Sequence, residues 1–378
     1  MIKAIKIRLF PTKEQELLML KSIGCSRFAY NWALGKYNVR YKNNEKCSMS
    51  DIRKEFTQLK KEEDFKWLNE VSNTTMVESM RNLDKAFKVF FKKKAKYPKF
   101  KSKRKSSKSF YVRYDRLCFK DNMCNIEKIG KVRFKTNYDI PKCKYSNPYC
   151  SFDGKYWYLS FGCEQNESQV ELNEKLSIGV DLGIKDLAIC SNDIIIKNIN
   201  KSIVVRKLEK RLKRLQRQIS RKYDSLKNNK TFSKGEKLIK TQNIIKLERK
   251  IKLIYRRLKN IRNNHIHQAT NKIIKCHPYR IVMEDLNVSG MMKNKHLSKA
   301  IAEQCFYEFI RQMEYKCEFN GIKFVQADRF YPSSKTCSCC GSIKKDLKLK
   351  DRVYKCNCGL SIDRDLNASI NLSKYKLV

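Results

Sequence analysis

Two short apolar runs in this sequence each end in a carboxylate. Ile178-Gly179-Val180 leads into Asp181, and Arg280-Ile281-Val282-Met283 leads into Glu284. A third acid, Asp365, opens the helix-spaced run Asn367-Ala368-Ser369-Ile370-Asn371-Leu372 near the C-terminus. The two runs read as buried strands, and Ile184–Ile189 as the returning partner of the first. Taken singly, each acid has a plain reading as a helix cap or turn residue. Taken together, carboxylates that converge on one place repel one another, so the arrangement makes sense with metal present. Hard divalent cations take oxygen ligands, and two of them can stabilise both the attacking and the leaving oxygen of a phosphodiester. The pattern points to a metal-dependent nuclease site.

The charge balance agrees. The chain has 378 residues, room for two or three domains, and carries 84 Lys and Arg against 38 Asp and Glu, a formal charge of +46. That excess fits a polyanionic partner, above all nucleic acid. An anionic membrane is the rival, disfavoured by the absence of a long uncharged apolar run or a lipidation signal. Hydrophobic residues make up 41% of the chain, enough for real cores. The opening Met1-Ile2-Lys3-Ala4-Ile5-Lys6-Ile7-Arg8-Leu9 alternates as a strand does, unlike a signal peptide. Most of the 16 cysteines stand alone, among them Cys25, Cys163, Cys190, Cys276, Cys305 and Cys317. These are expected to be reduced thiols of a cytoplasmic protein.

Thr12 with Gln15 three residues on predicts a capped helix start after Pro11, and helical patterning continues to about residue 95. Lys92 to Lys108 then holds ten basic residues, no acid, and the aromatics Tyr97 and Phe100. Pro98 excludes a continuous helix there. A charge run is commonly a solvated face; the interleaved aromatics favour contact with a phosphate backbone. From Phe110 to Glu164, short alternating runs such as Val132-Arg133-Phe134 and Tyr156-Trp157-Tyr158-Leu159-Ser160-Phe161 suggest a small barrel that the opening strand joins. Polar Gln165–Glu174 reads as a linker. Farther on, Val204, Leu208, Leu212, Leu215 and Ile219 form one stripe, and Ile244, Leu247, Ile251, Ile254, Leu258 and Ile261 another. With a turn at Asn228-Asn229-Lys230 and Gly235 between them, they predict an antiparallel helical hairpin.

One cysteine cluster has ligand spacing. Cys337-Ser338-Cys339-Cys340-Gly341 and Cys356-Asn357-Cys358-Gly359 give two knuckles fifteen residues apart, as in a four-thiolate zinc ribbon. The ligands are read as Cys337, Cys340, Cys356 and Cys358, with Cys339 an alternative to Cys340. The second knuckle is one residue shorter than usual. Four thiolates leave no open position, so this zinc is expected to be structural.

The order of these motifs resembles the TnpB (OrfB) proteins of bacterial insertion sequences, relatives of type V CRISPR effectors. The likeness spans nearly the whole chain. It is carried by Ile7-Arg8-Leu9-Phe10-Pro11-Thr12, Arg27-Phe28-Ala29-Tyr30-Asn31-Trp32 and Tyr97-Pro98-Lys99-Phe100-Lys101-Ser102-Lys103, and most diagnostically by Asp328-Arg329-Phe330-Tyr331-Pro332-Ser333-Ser334-Lys335-Thr336-Cys337, Cys358-Gly359 and Asp363-Arg364-Asp365-Leu366-Asn367-Ala368. The resemblance implies an α+β multidomain chain: a wedge-like β-barrel (1–10 and 110–165) with a helical recognition insertion (11–109), an RNase H-like RuvC nuclease domain (175–330 and 360–378) with a helical hairpin, and an inserted zinc ribbon (331–359). It places the catalytic, magnesium- or manganese-binding acids at Asp181, Glu284 and Asp365. Asp365 is preferred to Asp363 as the acid two before Asn367, and Asp285 is the lesser alternative to Glu284. It further implies an RNA-guided DNA endonuclease acting in the bacterial cytoplasm on the nucleoid. The partners would be a structured guide RNA from the transposon end and double-stranded target DNA bearing a short adjacent motif.

Three rivals remain at this level. One is a guided binder that represses without cutting. Another is a transposase that cuts and joins DNA directly, for which His265, His267, His277 and His296 supply no matching signature. The third is a zinc-ribbon DNA-binding protein whose acids are merely structural.

Overall fold

The computed structural model describes residues 2–45, 47–136, 139–164, 170–228, 239–348 and 351–376, without the side chains of 227 and 228. The chain divides into two compact units, Met1–Asn166 and Glu167–Val378. The expected turn at Asn229, Lys230 and Gly235 lies outside the described residues, as do residues 165–169 of the expected linker. That linker is shorter than expected, because the first strand of the second unit has begun by Asn173.

In the first unit, β1 (Ile2–Phe10) is followed by α1 (Lys13–Lys42), α2 (Met49–Leu59), α3 (Asn73–Phe91) and six strands: β2 (Ser109–Tyr111), β3 (Cys118–Lys120), β4 (Met123–Ile126), β5 (Gly130–Lys135), β6 (Ser146–Phe152) and β7 (Trp157–Glu164). The strands form one sheet in the order β2-β6-β7-β1-β5-β4-β3. β1 lies antiparallel between β7 and β5, with Ile5 opposite Phe161 and Leu9 opposite Phe134. Its alternation does what the sequence suggested: Ile5, Ile7 and Leu9 point into a core with Val132, Leu159 and Phe161. The expected capping box is present, with the Thr12 hydroxyl accepting from the Gln15 N–H at 3.3 Å and the Gln15 side chain accepting from the Thr12 N–H at 3.1 Å.

The three helices bury a second core around Ala29, Leu34, Ile52, Phe56, Met76, Met80 and Leu83. Here two of the sequence motifs meet. The Asn31 side chain pairs with the backbone of Lys101 in both directions, at 2.8 and 2.7 Å, and the Lys101 ammonium lies 3.8 Å from the Tyr30 ring centroid. Lys101 is therefore a structural residue within the basic run, while the run's other nine basic residues are exposed.

Cys163 departs from expectation: it is joined to Cys143 in a disulfide. It sits on the inward face of β7, and the stretch between β5 and β6 brings Cys143 back beside it, with Cα atoms 6.3 Å apart. Sequence spacing could not reveal that loop closure. Cys25, Cys190, Cys276, Cys305 and Cys317 are free thiols as expected, and burial pushes Cys25 up to about 11 and Cys190 and Cys317 up to about 12.

The second unit opens with β8 (Asn173–Leu182), β9 (Asp186–Cys190), β10 (Ile195–Lys197), α4 (Ile203–Asn228) and α5 (Gln242–Ile274). It continues with β11 (Pro278–Glu284), α6 (Val288–Met291), α7 (Ser298–Gln304), α8 (Phe306–Phe319) and β12 (Lys323–Ala327). The small hairpin β13 (Val353–Lys355) and β14 (Ser361–Asp363) precedes α9 (Arg364–Ser373). Five strands form a mixed sheet, β10-β9-β8-β11-β12, in which β8, β11 and β12 run parallel and β9 returns antiparallel as expected. Successive residues of a strand face opposite sides. Ile178, Val180, Ile281 and Met283 meet Ile266, Ile273, Phe309 and Met313 of α5 and α8 on one face, and Val282, Val325 and Ala327 meet Leu372 of α9 on the other.

The helical hairpin also forms, with Leu208, Leu212 and Leu215 packed against Ile254 and Leu258. Its first stripe begins at Val205, fully buried, and not at Val204, which is 52% exposed. Steps of three and four residues back from Leu208 both land on valine, so the sequence pattern alone could not choose.

Candidate functional site

The site is built on the face of β8 that α9 covers. Ser177, Gly179 and Asp181 share that face by strand alternation. A Cβ at Gly179 would stand 1.9 Å from the Ser369 carbonyl oxygen and 2.4 Å from the Ser373 nitrogen, so only glycine lets α9 lie directly on the strand. Arg280 secures the far end of that helix. Its guanidinium donates to Ser177 Oγ at 3.0 Å and to the Ser373 and Tyr375 carbonyls at 2.8 and 3.1 Å, satisfying the end where the helix dipole is negative.

Two carboxylates follow from this packing. β11 pairs with β8 in parallel, Val282 opposite Gly179 and Met283 opposite Val180. One residue farther along the two strands stand Glu284 and Asp181, on neighbouring strands about 4.8 Å apart. Asp365 occupies the first turn of α9. Asp363 does not compete with it: its carboxylate is the helix cap, accepting from the Asp365 and Leu366 N–H groups at 2.9 and 3.2 Å. Asp285 is likewise engaged, by the Arg329 guanidinium at 2.5 Å. Glu284 accepts a hydrogen bond from the buried Ser333 hydroxyl.

Asp181 feels the other two acids electrostatically. Burial first, then the charges of Glu284 and Asp365, push its carboxyl well above the ordinary carboxylate range; Arg364 opposes the shift. A carboxylate so placed needs either a proton or a cation, and the all-oxygen donor set suits a hard divalent ion.

The four thiols make a different site. Cys337, Cys340, Cys356 and Cys358 are the one group of three or more Cys, His, Asp or Glu, among the described residues, whose ligand atoms all lie within 4.8 Å of one another. The Cys337–Cys358 and Cys340–Cys356 sulfur pairs are both 3.6 Å apart. That is close to the edge of a tetrahedron with bonds of about 2.3 Å, roughly 3.8 Å, so the set fits zinc. Gly341 and Gly359 follow their knuckles with φ of +76° and +90°, a turn that excludes most side chains. Cys339 is exposed and outside the set. The Cys358 backbone N–H, then the Ser342 hydroxyl, hold the Cys356 thiol down at about 6.

The two sites share a support. Asn367 and Asn371, one turn apart on α9 and both buried, donate to the Thr336 carbonyl at 2.7 Å each. Asn367 also accepts from the Ser338 N–H at 3.0 Å. The first knuckle is thus tied to the helix that carries Asp365. The roles of Gly179, Arg280, Ser333, Asn367 and Asn371 were not read from the sequence. The only signal was that each lay in or beside a motif already singled out.

Three family models match the chain: a helix-turn-helix domain (HTH_OrfB_IS605) over residues 1–46, a probable transposase (OrfB_IS605) over residues 160–295, and the Cas12f1-like TNB domain over residues 306–372. A Streptomyces pristinaespiralis protein provisionally named an RNA-guided DNA endonuclease is 29% identical over 374 residues, covering 98% of this chain and 88% of that one. InsQ of Escherichia coli K12, with the same provisional description, is 26% identical over 388 residues, covering 98% and 91%. Among solved structures, Cas12f1 in complex with a single guide RNA and target DNA matches with a TM-score of 0.54 at 15% identity, over 99% of this chain and 98% of that one. At that identity the likeness is one of fold.

Proposed function

We infer that the chain is a member of the TnpB (OrfB) family, and on that premise we propose that it is an RNA-guided DNA endonuclease of a transposable element. What supports this reading is the parallel register that sets Glu284 beside Asp181, the packing on that face of the helix whose first turn holds Asp365, and the burden of two like charges on Asp181. Divalent ions bound there, magnesium or manganese, supply Lewis-acid stabilisation and an activated water for phosphodiester hydrolysis. Asp181 would be one of the ligands. Glu284 and Asp365 would complete the set from the neighbouring strand and the helix start, while Asp285 and Asp363 are engaged by Arg329 and by the helix N-terminus. On this reading the five-stranded sheet with α9 is the RuvC-like, RNase H-like core (175–330 and 360–378). The four thiols hold a structural zinc in the ribbon (331–359). The seven-stranded sheet is the wedge-like barrel (1–10 and 110–165), with 11–109 as its recognition insertion.

The formal charge of +46 suits a protein that holds a guide RNA and a guide–target duplex by their backbones while base pairing reads the sequence. No helix among the described residues is long and apolar enough to cross a membrane. The place of action is the bacterial cytoplasm, on the nucleoid.

The test is to purify the protein from cells carrying its native locus, sequence the bound RNA, and assay that complex on matching DNA with Mg²⁺. A discrete RNA extending past the element's end and metal-dependent cleavage are expected. Guide-directed binding without cleavage would turn the reading to a repressor.

A further inference from the structure

The segment Arg329–Ser333 belongs to the most diagnostic stretch of the sequence, yet neither the acids nor the thiols account for it. Its place in the structure suggests what it does. Ser333 is 2% exposed and fixed on all sides. Its N–H donates to the Tyr331 carbonyl at 2.8 Å, its carbonyl accepts from the Asn371 side chain at 2.7 Å, and its hydroxyl donates to Glu284 Oε1. Tyr331 is itself joined to the Asn371 carbonyl at 3.3 Å. Four residues before Ser333, the Arg329 guanidinium holds Asp285 at 2.5 Å. One short strap thus reaches both members of the acidic pair that ends β11, and treats them oppositely. Asp285 receives a full counter-charge. Glu284 receives a single neutral donor on one oxygen, which fixes its rotamer and leaves Oε2 free of the strap.

We infer that Ser333 is a positioning residue that orients the Glu284 carboxylate for metal, and that the strap it belongs to selects Glu284 over Asp285 as the ligand. The inference rests on the proposed metal site and deepens it. A glutamate at a strand end has three side-chain torsions to fix before it can bind an ion. A buried hydroxyl whose own backbone is doubly anchored restrains them in advance, as outer partners of metal ligands do. Because Asn371 and Asn367 also carry the first cysteine knuckle, the strap is held from the zinc side as well as from α9.

The experiment uses the full chain bound to its guide RNA, with Mn²⁺ as the probe ion. Cleavage is measured against Mn²⁺ concentration for wild type, Ser333→Ala, Ser333→Thr and Glu284→Ala, and the Mn²⁺-induced rise in Tm is measured on the same complexes without target DNA. Ser333→Ala is expected to raise the half-maximal Mn²⁺ concentration by about tenfold or more, keep a saturating rate within about threefold, and shrink the Mn²⁺-induced rise in Tm. Ser333→Thr, which keeps the hydroxyl, should restore the wild-type midpoint. Should Ser333→Ala not fold, Ser333→Cys keeps the volume with a weaker donor and should shift the midpoint in the same direction. An unchanged midpoint and an unchanged Mn²⁺-induced rise in Ser333→Ala, with Glu284→Ala inactive, would overturn the inference and leave the metal site standing. A Glu284→Ala protein that cleaves normally would instead remove Glu284 from the site, and the role of Ser333 with it.

Discussion

The acid cluster and the thiol cluster lie in the same unit and share the anchors Asn367 and Asn371, yet they are built on opposite plans. The four thiols come from two knuckles within 22 residues, each closed by a positive-φ glycine, and their sulfurs already lie within 4.8 Å of one another, two pairs at 3.6 Å. The acids come from positions 181, 284 and 365 and depend on a sheet, a parallel register and one glycine to meet at all. Local spacing suffices for a site that only needs to be closed. The acids, by contrast, are set near one another only by the fold of the whole unit. On the proposed reading, the soft ligands serve folding and the hard ones serve chemistry.

Mutations at the two sites should therefore fail differently. The largest effect belongs to Asp181→Ala. On the proposed reading, loss of this carboxylate removes several kcal/mol of transition-state stabilisation, so cleavage should fall by about 10³-fold or more, while binding of the guide RNA in a filter or gel assay stays within about twofold. Retained cleavage would remove Asp181 from the mechanism. Next comes Cys337→Ser. Structural zinc contributes its binding free energy to folding, so zinc content should drop to near zero and Tm should fall by several degrees. Cleavage should fall too, through the knuckle's bonds to α9. Normal zinc stoichiometry in this variant would refute the ligand assignment, and normal cleavage with zinc lost would show that the two sites are independent.

Gly179→Ala probes the assembly that the acids need and the thiols do not. The new methyl group collides with the backbone of α9, and overpacking of this kind costs about 1–3 kcal/mol. Denaturant midpoints should register that loss, and cleavage should fall as Asp365 is displaced, while zinc content is unchanged. Gly24→Ala is the control: nothing lies within 4 Å of its added carbon, and a helical Gly→Ala change should be neutral or stabilising. Equal behaviour of the two variants would mean that α9 does not need to lie so close to β8.

The same contrast explains what the sequence could and could not convey. Strand ends at Asp181 and Glu284, the helix start at Asp365 and the knuckle spacing were legible because each is a local pattern of alternation, helical period or ligand interval. The hairpin helices and the capping box at Thr12 were legible for the same reason. The Cys143–Cys163 disulfide was not, because it depends on a loop returning to β7. Nor was the choice of Val205 over Val204 in the hairpin stripe. The work of Gly179, Arg280 and Ser333 also stayed hidden. Each acts on a residue 40 or more positions away, through a helix or strap whose path only the folded chain defines.

The smallest expected effect concerns stability without metal, and its sign separates the two clusters again. In the folded chain Asp181 binds its proton more tightly than the unfolded chain does, because burial and then the Glu284 and Asp365 charges raise its pKa. Folding therefore takes up a proton between the ordinary aspartate range near pH 4 and the raised folded value. The stability this group provides is present at the acid end of that window and is lost as pH rises through it. Asp181→Asn carries no such proton. In metal-free buffer its Tm should exceed that of wild type by a margin that widens with pH, until the folded carboxyl has fully ionised. Adding Mn²⁺ should then reverse the order, since only the wild type gains binding free energy from the ion. A margin that ignores pH, or a variant that Mn²⁺ stabilises as much as wild type, would mean that Asp181 is not the burdened carboxylate. In that case the acid cluster would no longer stand apart from the thiols as a site strained until a cation arrives.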